Sequence, residues 1–315
     1  MEYRSLGKTG LRVSRLCFGT LTIGPLQAKL PVPDGADIIC HAIKSGVNFF
    51  DSAELYETYP YIREGMKKAG VFDIVISTKT YAYTREMAMR AVEDARKQLD
   101  RDIIDIFMLH EQESIYTLQG HKEALDCLME YKAKGIINAV GASMHHIEAV
   151  KGAVSLGLDV IHPMLNKNGL GIVDGDRQAM ETEIIKAHEA GIGVFSMKPL
   201  GGGNLFSDAA DCLGYVRSLP YVDSVAVGMQ SIGEVDANVN FFETGSFSDK
   251  DIDTLSCKTR RLHIDGWCSG CGACTTQCKQ NALSVINGAV VCDYPKCVLC
   301  GYCSSACPDF AIKIV

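Results

Sequence analysis

The chain has 315 residues, 47% of them apolar, and a formal net charge of −7. That length buries one large core and leaves room for a second, small one, and no run approaches the roughly 18 apolar residues needed to cross a bilayer. The first residues, MEYRSLGKTGL, lack the charged-then-apolar order of an export signal, so the expectation is a cytoplasmic protein with no membrane partner.

The opening YRSLGKTGLRVS predicts a hairpin turning at Lys8, Thr9 and Gly10. Eight short apolar, β-branched runs follow: RLCFGT (15–20), VNFFDSA (47–53), IVISTKT (74–80), IDIFMLH (104–110), INAVGAS (137–143), VIHPML (160–165), GVFSMKPL (193–200) and SVAVGM (224–229). Between them apolar residues recur at helical spacing, as in Ala88, Ala91, Val92, Ala95 and Leu99. Many of these segments close on a glycine directly before Val, Ile or Leu, at Gly46, Gly70, Gly135, Gly157 and Gly191. Glycine there takes the left-handed conformation that ends a helix, and a strand begins. Eight near-continuous apolar strands alternating with helices predict an α/β fold, a parallel sheet closed as a (β/α)8 TIM barrel of about 250 residues. The alternative is an open doubly wound sheet. Against it, no G-x-G-x-x-G follows the first strand, since GTLTIG at 19–24 lacks the second glycine. In a barrel the hairpin would plug the bottom.

Barrel enzymes do their chemistry at the carboxyl ends of the strands. The second run ends in Asp51, with Tyr56 in the loop after it; the third ends with Lys79 and the fourth with His110. Singly, each is more often a packing or surface group. Together they make a working acid. Reducing a carbonyl by hydride leaves charge on oxygen and calls for a proton donor, and a free phenol with a pKa of about 10 gives its proton reluctantly at neutral pH. An adjacent Lys79 ammonium is expected to lower that pKa, Asp51 to keep the lysine charged and aimed, and His110 to hold the carbonyl oxygen.

D-S-A-E-x-Y after the second strand, S-T-K after the third and L-H after the fourth resemble the aldo-keto reductases, as do the opening YRxLGxTGLxVSxLxFGT and PLGGG after the seventh strand. The resemblance covers roughly residues 1–250. It implies NADP- or NAD-dependent reduction of an aldehyde or ketone, or the reverse oxidation of an alcohol, with Tyr56 as proton donor of the set Asp51, Tyr56, Lys79, His110. It also implies a nicotinamide end at Gly19, Thr20, Asp51 and Ser143. The pyrophosphate and adenosine end follows at Leu200, Gly201 and Gly203 and from Gly228 through Gln230 and Glu234 to Asn238. Glycines let backbone N–H groups approach phosphates, which supports the same assignment. Three positions depart from the family. His162 stands where a Gln commonly holds the carboxamide, Met197 where an aromatic often stacks on the nicotinamide, and Glu234 where many members carry an Arg for a 2′-phosphate. A carboxylate repels that phosphate and accepts a hydrogen bond from a free 2′-hydroxyl, so a weakened preference for NADP is expected.

Of the fourteen cysteines, Cys17, Cys40, Cys127 and Cys212 sit among apolar neighbours as small core residues. Eight others form two runs of C-x2-C-x2-C-x3-C, offset by 29 residues throughout; Cys257 and Cys292 lie outside the pattern. In an intracellular chain this is metal-ligand spacing and not a disulfide framework. The runs resemble bacterial two-cluster ferredoxins over approximately residues 262–315, in which three closely spaced thiolates and one from the other half hold each 4Fe-4S cluster. One cluster would take Cys268, Cys271, Cys274 and Cys307, and the other Cys297, Cys300, Cys303 and Cys278. Gly272 with Gly301, and Ala282 with Ala311, repeat in register. The second run ends in Pro308, whereas the first has Lys279 at that place. Zinc is the competing metal, but four-Cys zinc sites come as two separated pairs. Residues 257–315 carry six Lys and Arg against three Asp, scattered and without a basic stripe. That excess fits compensation for anionic clusters and argues against nucleic acid.

The expected organisation is therefore a barrel at 1–256 and a small α+β ferredoxin-like iron-sulfur domain at 257–315, lying near the barrel mouth. Two functions compete. One is an NAD(P)H-dependent carbonyl reductase whose clusters relay electrons, with a redox partner protein as a candidate. The other is an iron-sulfur electron-transfer or partner-docking protein whose barrel is a scaffold. Leu21, Ile23, Leu26, Tyr81 and Tyr83 are candidates for an apolar substrate wall.

Overall fold

The computed structural model describes residues 1–256 and 260–315. The hairpin forms as β1 (Tyr3–Ser5) and β2 (Arg12–Ser14), antiparallel, turning through the expected residues. All eight apolar runs become strands: β3 (Leu16–Gly19), β4 (Phe49–Asp51), β5 (Val75–Thr80), β6 (Ile104–Gln112), β7 (Ile137–Met144), β8 (Val160–Pro163), β9 (Gly193–Met197) and β10 (Ser224–Gly228). They pair in parallel and in sequence order, and β10 closes on β3. The barrel is the fold the periodicity predicted. The five glycines before the strands have φ between +64° and +88°, a region that a Cβ disfavours.

Leu6 and Val13 from the hairpin pack with Phe49, Val75, Ile106 and Phe195 inside the barrel. The hairpin backbone lies against the start of β9, with Lys8 N donating to Gly191 O at 2.9 Å. Gly7, at φ +50°, fits there because a Cβ would collide with the backbone of Gly191 and Gly193. The amino end of the barrel is therefore closed, and the open end is the one with the strand carboxyl termini.

Helix Asp249–Ser256 is the last described element before the tail. The expected boundary at Cys257 lies outside the described residues. The tail holds two antiparallel pairs, β11 (Leu262–Ile264) with β14 (Ile312–Ile314) and β12 (Leu283–Ile286) with β13 (Ala289–Cys292). The 29-residue repeat extends to the backbone: left-handed residues recur in the pairs Gly270 and Leu299, Gly272 and Gly301, and Asn281 and Phe310.

The tail docks on the loop after β9. Ile314 N donates to Gly202 O at 3.0 Å, and Asn204 Nδ2 donates to Ser304 Oγ at 3.0 Å and Ile312 O at 3.3 Å. Gly203, at φ +85°, allows the approach, since a Cβ would collide with the Ile314 carbonyl. Beneath, Lys313 is ion-paired to Asp265 and both are buried. The tail thus sits at the barrel mouth as expected.

Candidate active site

Each barrel strand delivers one of the expected positions at its carboxyl end: Gly19, Asp51, Lys79, His110, Ser143, His162, Met197 and Gly228. Register keeps them level, with Gly19 beside both Asp51 and Gly228, and Ser143 beside His162.

Lys79 is 1% exposed and its Nζ donates to Asp51 Oδ1 at 2.7 Å, Asp51 Oδ2 at 2.9 Å and Ser52 O at 2.6 Å. Three acceptors match the three protons of an ammonium. Burial pushes the Asp51 carboxyl up, but Lys79 and His162 outweigh it and hold it at about 2. The His162 Nε2 lies 3.6 Å from Asp51 Oδ2, while its Nδ1 is 2.6 Å from Phe195 O and its ring stacks on Phe195 at 3.9 Å.

Tyr56 closes a short 310 turn, Glu54–Tyr56, and its OH stands 3.5 Å from His110 Nε2. Lys79 Nζ lies 5.0 Å from the Tyr56 ring centroid, over its face. The expected acidic phenol is not what this geometry produces. Burial pushes the Tyr56 hydroxyl well above its ordinary range, and Asp51, Glu111 and Tyr81 add to the rise. Lys79 brings no offsetting fall, since its Nζ donates to Asp51 and Ser52.

His110 owes its aim to an irregularity. The β6–β7 register shifts between Leu109 and Gln112, and Glu111 has φ +47°, a bulge of the kind that redirects a side chain beside a site. Tyr81 stacks on the His110 ring at 4.4 Å and donates its OH to Glu111. Burial and then Lys79 hold the imidazole well below its ordinary range, so it is neutral at physiological pH.

The main pocket opens above these groups. It is lined by Asp51, Tyr56, His162 and Met197, and further out by Leu200, Gly203, Gly228, Gln230 and Glu234. Other expected cofactor positions are engaged elsewhere. Thr20 is fully buried, donating to Asp51 O at 2.9 Å and bonded to Thr58 Oγ1 at 2.7 Å, so it pins the end of β4. Asn238 donates to Glu234 O within its helix, Ser143 Oγ accepts from Glu111 N at 2.8 Å, and Gly201 faces Leu170 and Leu205. Glu234 caps the helix Ile232–Thr244: its carboxylate accepts from Gln230 N at 2.5 Å, and Ser231 Oγ accepts from Glu234 N at 3.2 Å. The pattern S-x-x-E was the sequence signal for that role. Of the candidate substrate-wall residues, Leu21 lines the pocket, whereas Ile23 belongs to the core.

The sequence reading missed Lys198, Arg260 and the chain's last residues, all of which line this pocket. Lys198, at φ +55°, has its Nζ 3.0 Å from His145 Nε2. Burial, then Lys313, brings Lys198 down to about 7. Its place directly after β9 was a signal equal to that of Lys79.

In the tail, Cys278, Cys297, Cys300 and Cys303 line one cavity. Around Cys274 stand Cys307, Cys268 and Cys271, which add to the effect of burial in raising its thiol. Ala282 N donates to Cys278 Sγ and Ala311 N to Cys307 Sγ, both at 3.3 Å. Among the described residues no three His, Cys, Asp or Glu converge on a point where one ion would sit. Cys17, Cys40, Cys127 and Cys212 are buried, as expected of core residues.

The Asp51 pairing gives the acid limb of stability a defined origin. With its pKa moved from 3.8 to about 2, the folded carboxylate contributes about 2 kcal/mol above pH 4, lost as the pH falls toward 2. Asp105 and Asp223, raised by burial, act in the opposite sense. Urea midpoints measured between pH 5 and pH 2 should therefore fall more steeply in the native protein than in Asp51→Asn; parallel curves would show that Asp51 carries no such contribution.

The aldo/keto reductase family model matches residues 15–211, and a 4Fe-4S binding domain matches residues 293–313. L-galactose dehydrogenase of Arabidopsis thaliana is 24% identical over 284 residues, 76% of this chain and 87% of that protein. A rice protein named "Probable voltage-gated potassium channel subunit beta" is 25% identical over 223 residues, 65% of this chain. The chain thus spans 66% of that relative's length. Among solved structures, the holo form of an aldo-keto reductase from Bacillus halodurans superposes with a TM-score of 0.66 at 21% identity, covering 82% of this chain and 96% of that one. No helix among the described residues is long and apolar enough to cross a membrane.

Proposed function

The chain belongs to the aldo/keto reductase family of oxidoreductases and carries a C-terminal 4Fe-4S domain, and from this we propose that it interconverts an aldehyde or ketone with its alcohol using NADP or NAD. The observation that carries the reading is the buried Lys79–Asp51 pair against the Tyr56 ring, with Asp51 and Tyr56 lining the main pocket and His110 beside the Tyr56 hydroxyl. When bound, a reduced nicotinamide supplies a hydride to the carbonyl carbon. Neutral His110 fixes the carbonyl oxygen, and Tyr56 gives that oxygen its proton. The high phenol pKa suits this direction: the donor stays protonated at every physiological pH, and the alkoxide forming in the transition state is the stronger base. Tyr56 then regains a proton from solvent, to which it is partly exposed.

The two cysteine sets fit two 4Fe-4S clusters. Four thiols gather at each site, the number of ligands that a 4Fe-4S cluster takes. In this reading Cys268, Cys271, Cys274 and Cys307 hold one, and Cys297, Cys300, Cys303 and Cys278 the other. The clusters would relay single electrons between the barrel and a redox partner protein. Hydride carries two electrons and each cluster one, so the relay requires a nucleotide or substrate that passes through a one-electron state.

Anaerobic titration of the iron-replete protein with NADH and NADPH separates the parts. Saturable quenching of nucleotide fluorescence supports the nicotinamide site, and bleaching of the cluster absorbance supports the relay. Metal analysis should return about eight iron atoms per chain; stoichiometric zinc without iron overturns the clusters. Silence toward both nucleotides favours the scaffold reading, to which His162, Met197 and Glu234 point.

A further inference from the structure

The main pocket is built from both parts of the chain. Its inner end is the barrel floor at Asp51 and Tyr56, and its outer end is Arg260 with residues 313–315. This outer wall is anchored. Arg261 and Val315 exchange both backbone hydrogen bonds, at 2.8 and 3.0 Å, and Ile314 N donates to Gly202 O. The three glycines that read as a phosphate cradle are thus partly committed to receiving the tail, with Gly203 directly under the Ile314 carbonyl. A dinucleotide in this pocket would have to find its phosphate contacts elsewhere on the rim.

Among the described residues, three cations reach that rim. Lys313 is neutralised by Asp265, and Lys198 is held near His145. Arg260 is different. Its guanidinium packs on the Phe206 ring, 4.5 Å from the centroid, and its Nη1 donates to Leu255 O at 3.2 Å. It is in ion-pair range of no carboxylate among the described residues. A guanidinium carries five N–H donors and a permanent charge in a fork that matches phosphate.

Resting on the nicotinamide reading above, we propose that the iron-sulfur segment completes the dinucleotide site: Arg260 binds a phosphate of the nucleotide, and residues 313–315 wall the groove in which it lies. The barrel alone would then be an incomplete nucleotide site. Affinity for nucleotide would depend on a correctly folded tail, and by reciprocity bound nucleotide would protect the tail.

The test is equilibrium binding of NADH and of NADPH, followed by fluorescence, to cluster-replete native protein, Arg260→Gln and Arg260→Lys, with cluster absorbance confirming an intact tail. Loss of one charge-assisted phosphate contact should weaken binding in Arg260→Gln roughly tenfold, with partial recovery in Arg260→Lys. An equal loss for both nucleotides assigns the pyrophosphate, and a loss confined to NADPH assigns the 2′-phosphate. Affinities unchanged within twofold for both overturn the proposal while leaving the nicotinamide site standing. Native protein that binds neither nucleotide refutes the nicotinamide reading itself, and this inference with it. As an independent measure, NADPH at a concentration that saturates native protein but not Arg260→Gln should slow cluster loss to an iron chelator severalfold in native protein and markedly less in Arg260→Gln; equal protection in both, or none in either, counts against a shared site.

Discussion

Tyr56→Phe is expected to lower turnover of a competent carbonyl substrate by about 100- to 10,000-fold, the usual contribution of a positioned general acid, while nucleotide affinity stays within about twofold. The variant removes one oxygen from a residue lining the pocket whose hydroxyl has, among the described residues, a single close side-chain partner, His110 at 3.5 Å. The ring remains to pack under the Lys79 ammonium, so little structural disturbance accompanies the loss. The split between parameters is the diagnostic. A group used only in the transition state lowers kcat and kcat/KM together and leaves ground-state binding alone. The high phenol pKa adds a second signature. In the reduction direction, Tyr56 should impose no ionisation on the rate up to about pH 10, whereas an acidified phenol would cut the reduction rate at a lower pH. Equal turnover in the variant, or a fall in nucleotide affinity matching the fall in rate, would remove Tyr56 from the role of proton donor.

The elements that sequence reading recovered share one property: their cause is local. Apolar runs of strand length, glycines that end helices and the 29-residue cysteine repeat are each written within a few residues of where they act. The strand-end residues Asp51, Lys79 and His110 were legible for the same reason, since alternation of strands and helices fixes which end of each strand faces the mouth. What escaped was set by distant partners. The glycines at 201–203 read as a phosphate loop, because nothing nearby announces that Ile314, more than a hundred residues on, lies against them. Thr20 read as a cofactor contact, but Thr58 and the Asp51 carbonyl take its hydroxyl inward. The rise of the Tyr56 pKa comes first from burial and then from Asp51, Glu111 and Tyr81, an enclosure that residue identity does not encode. The bulge at Glu111 that aims His110 is a register shift between strands, with no counterpart in the composition of either.

Lys79→Met is expected to be the most destabilising single change in the barrel, because Lys79 is at once fully enclosed and the principal compensation for Asp51. Asp51 is 5% exposed and Lys79 1%, and the substitution leaves a carboxylate inside the barrel with His162, 3.6 Å away, as its remaining partner. Breaking a buried pair from one side costs about 3–5 kcal/mol, whereas replacing both members by apolar groups of similar size is often near neutral. At roughly 2–4 °C per kcal/mol for a domain of this size, Lys79→Met should melt on the order of 10 °C below the native protein in scans at a fixed heating rate. The double variant Lys79→Met with Asp51→Leu should regain most of that loss and still fail to turn over substrate. This outcome would show that the pair is retained for chemistry and adds little net stability. A double variant as unstable as the single one would mean that the penalty comes from packing of the lysine stem, and the electrostatic account of the site floor would fall.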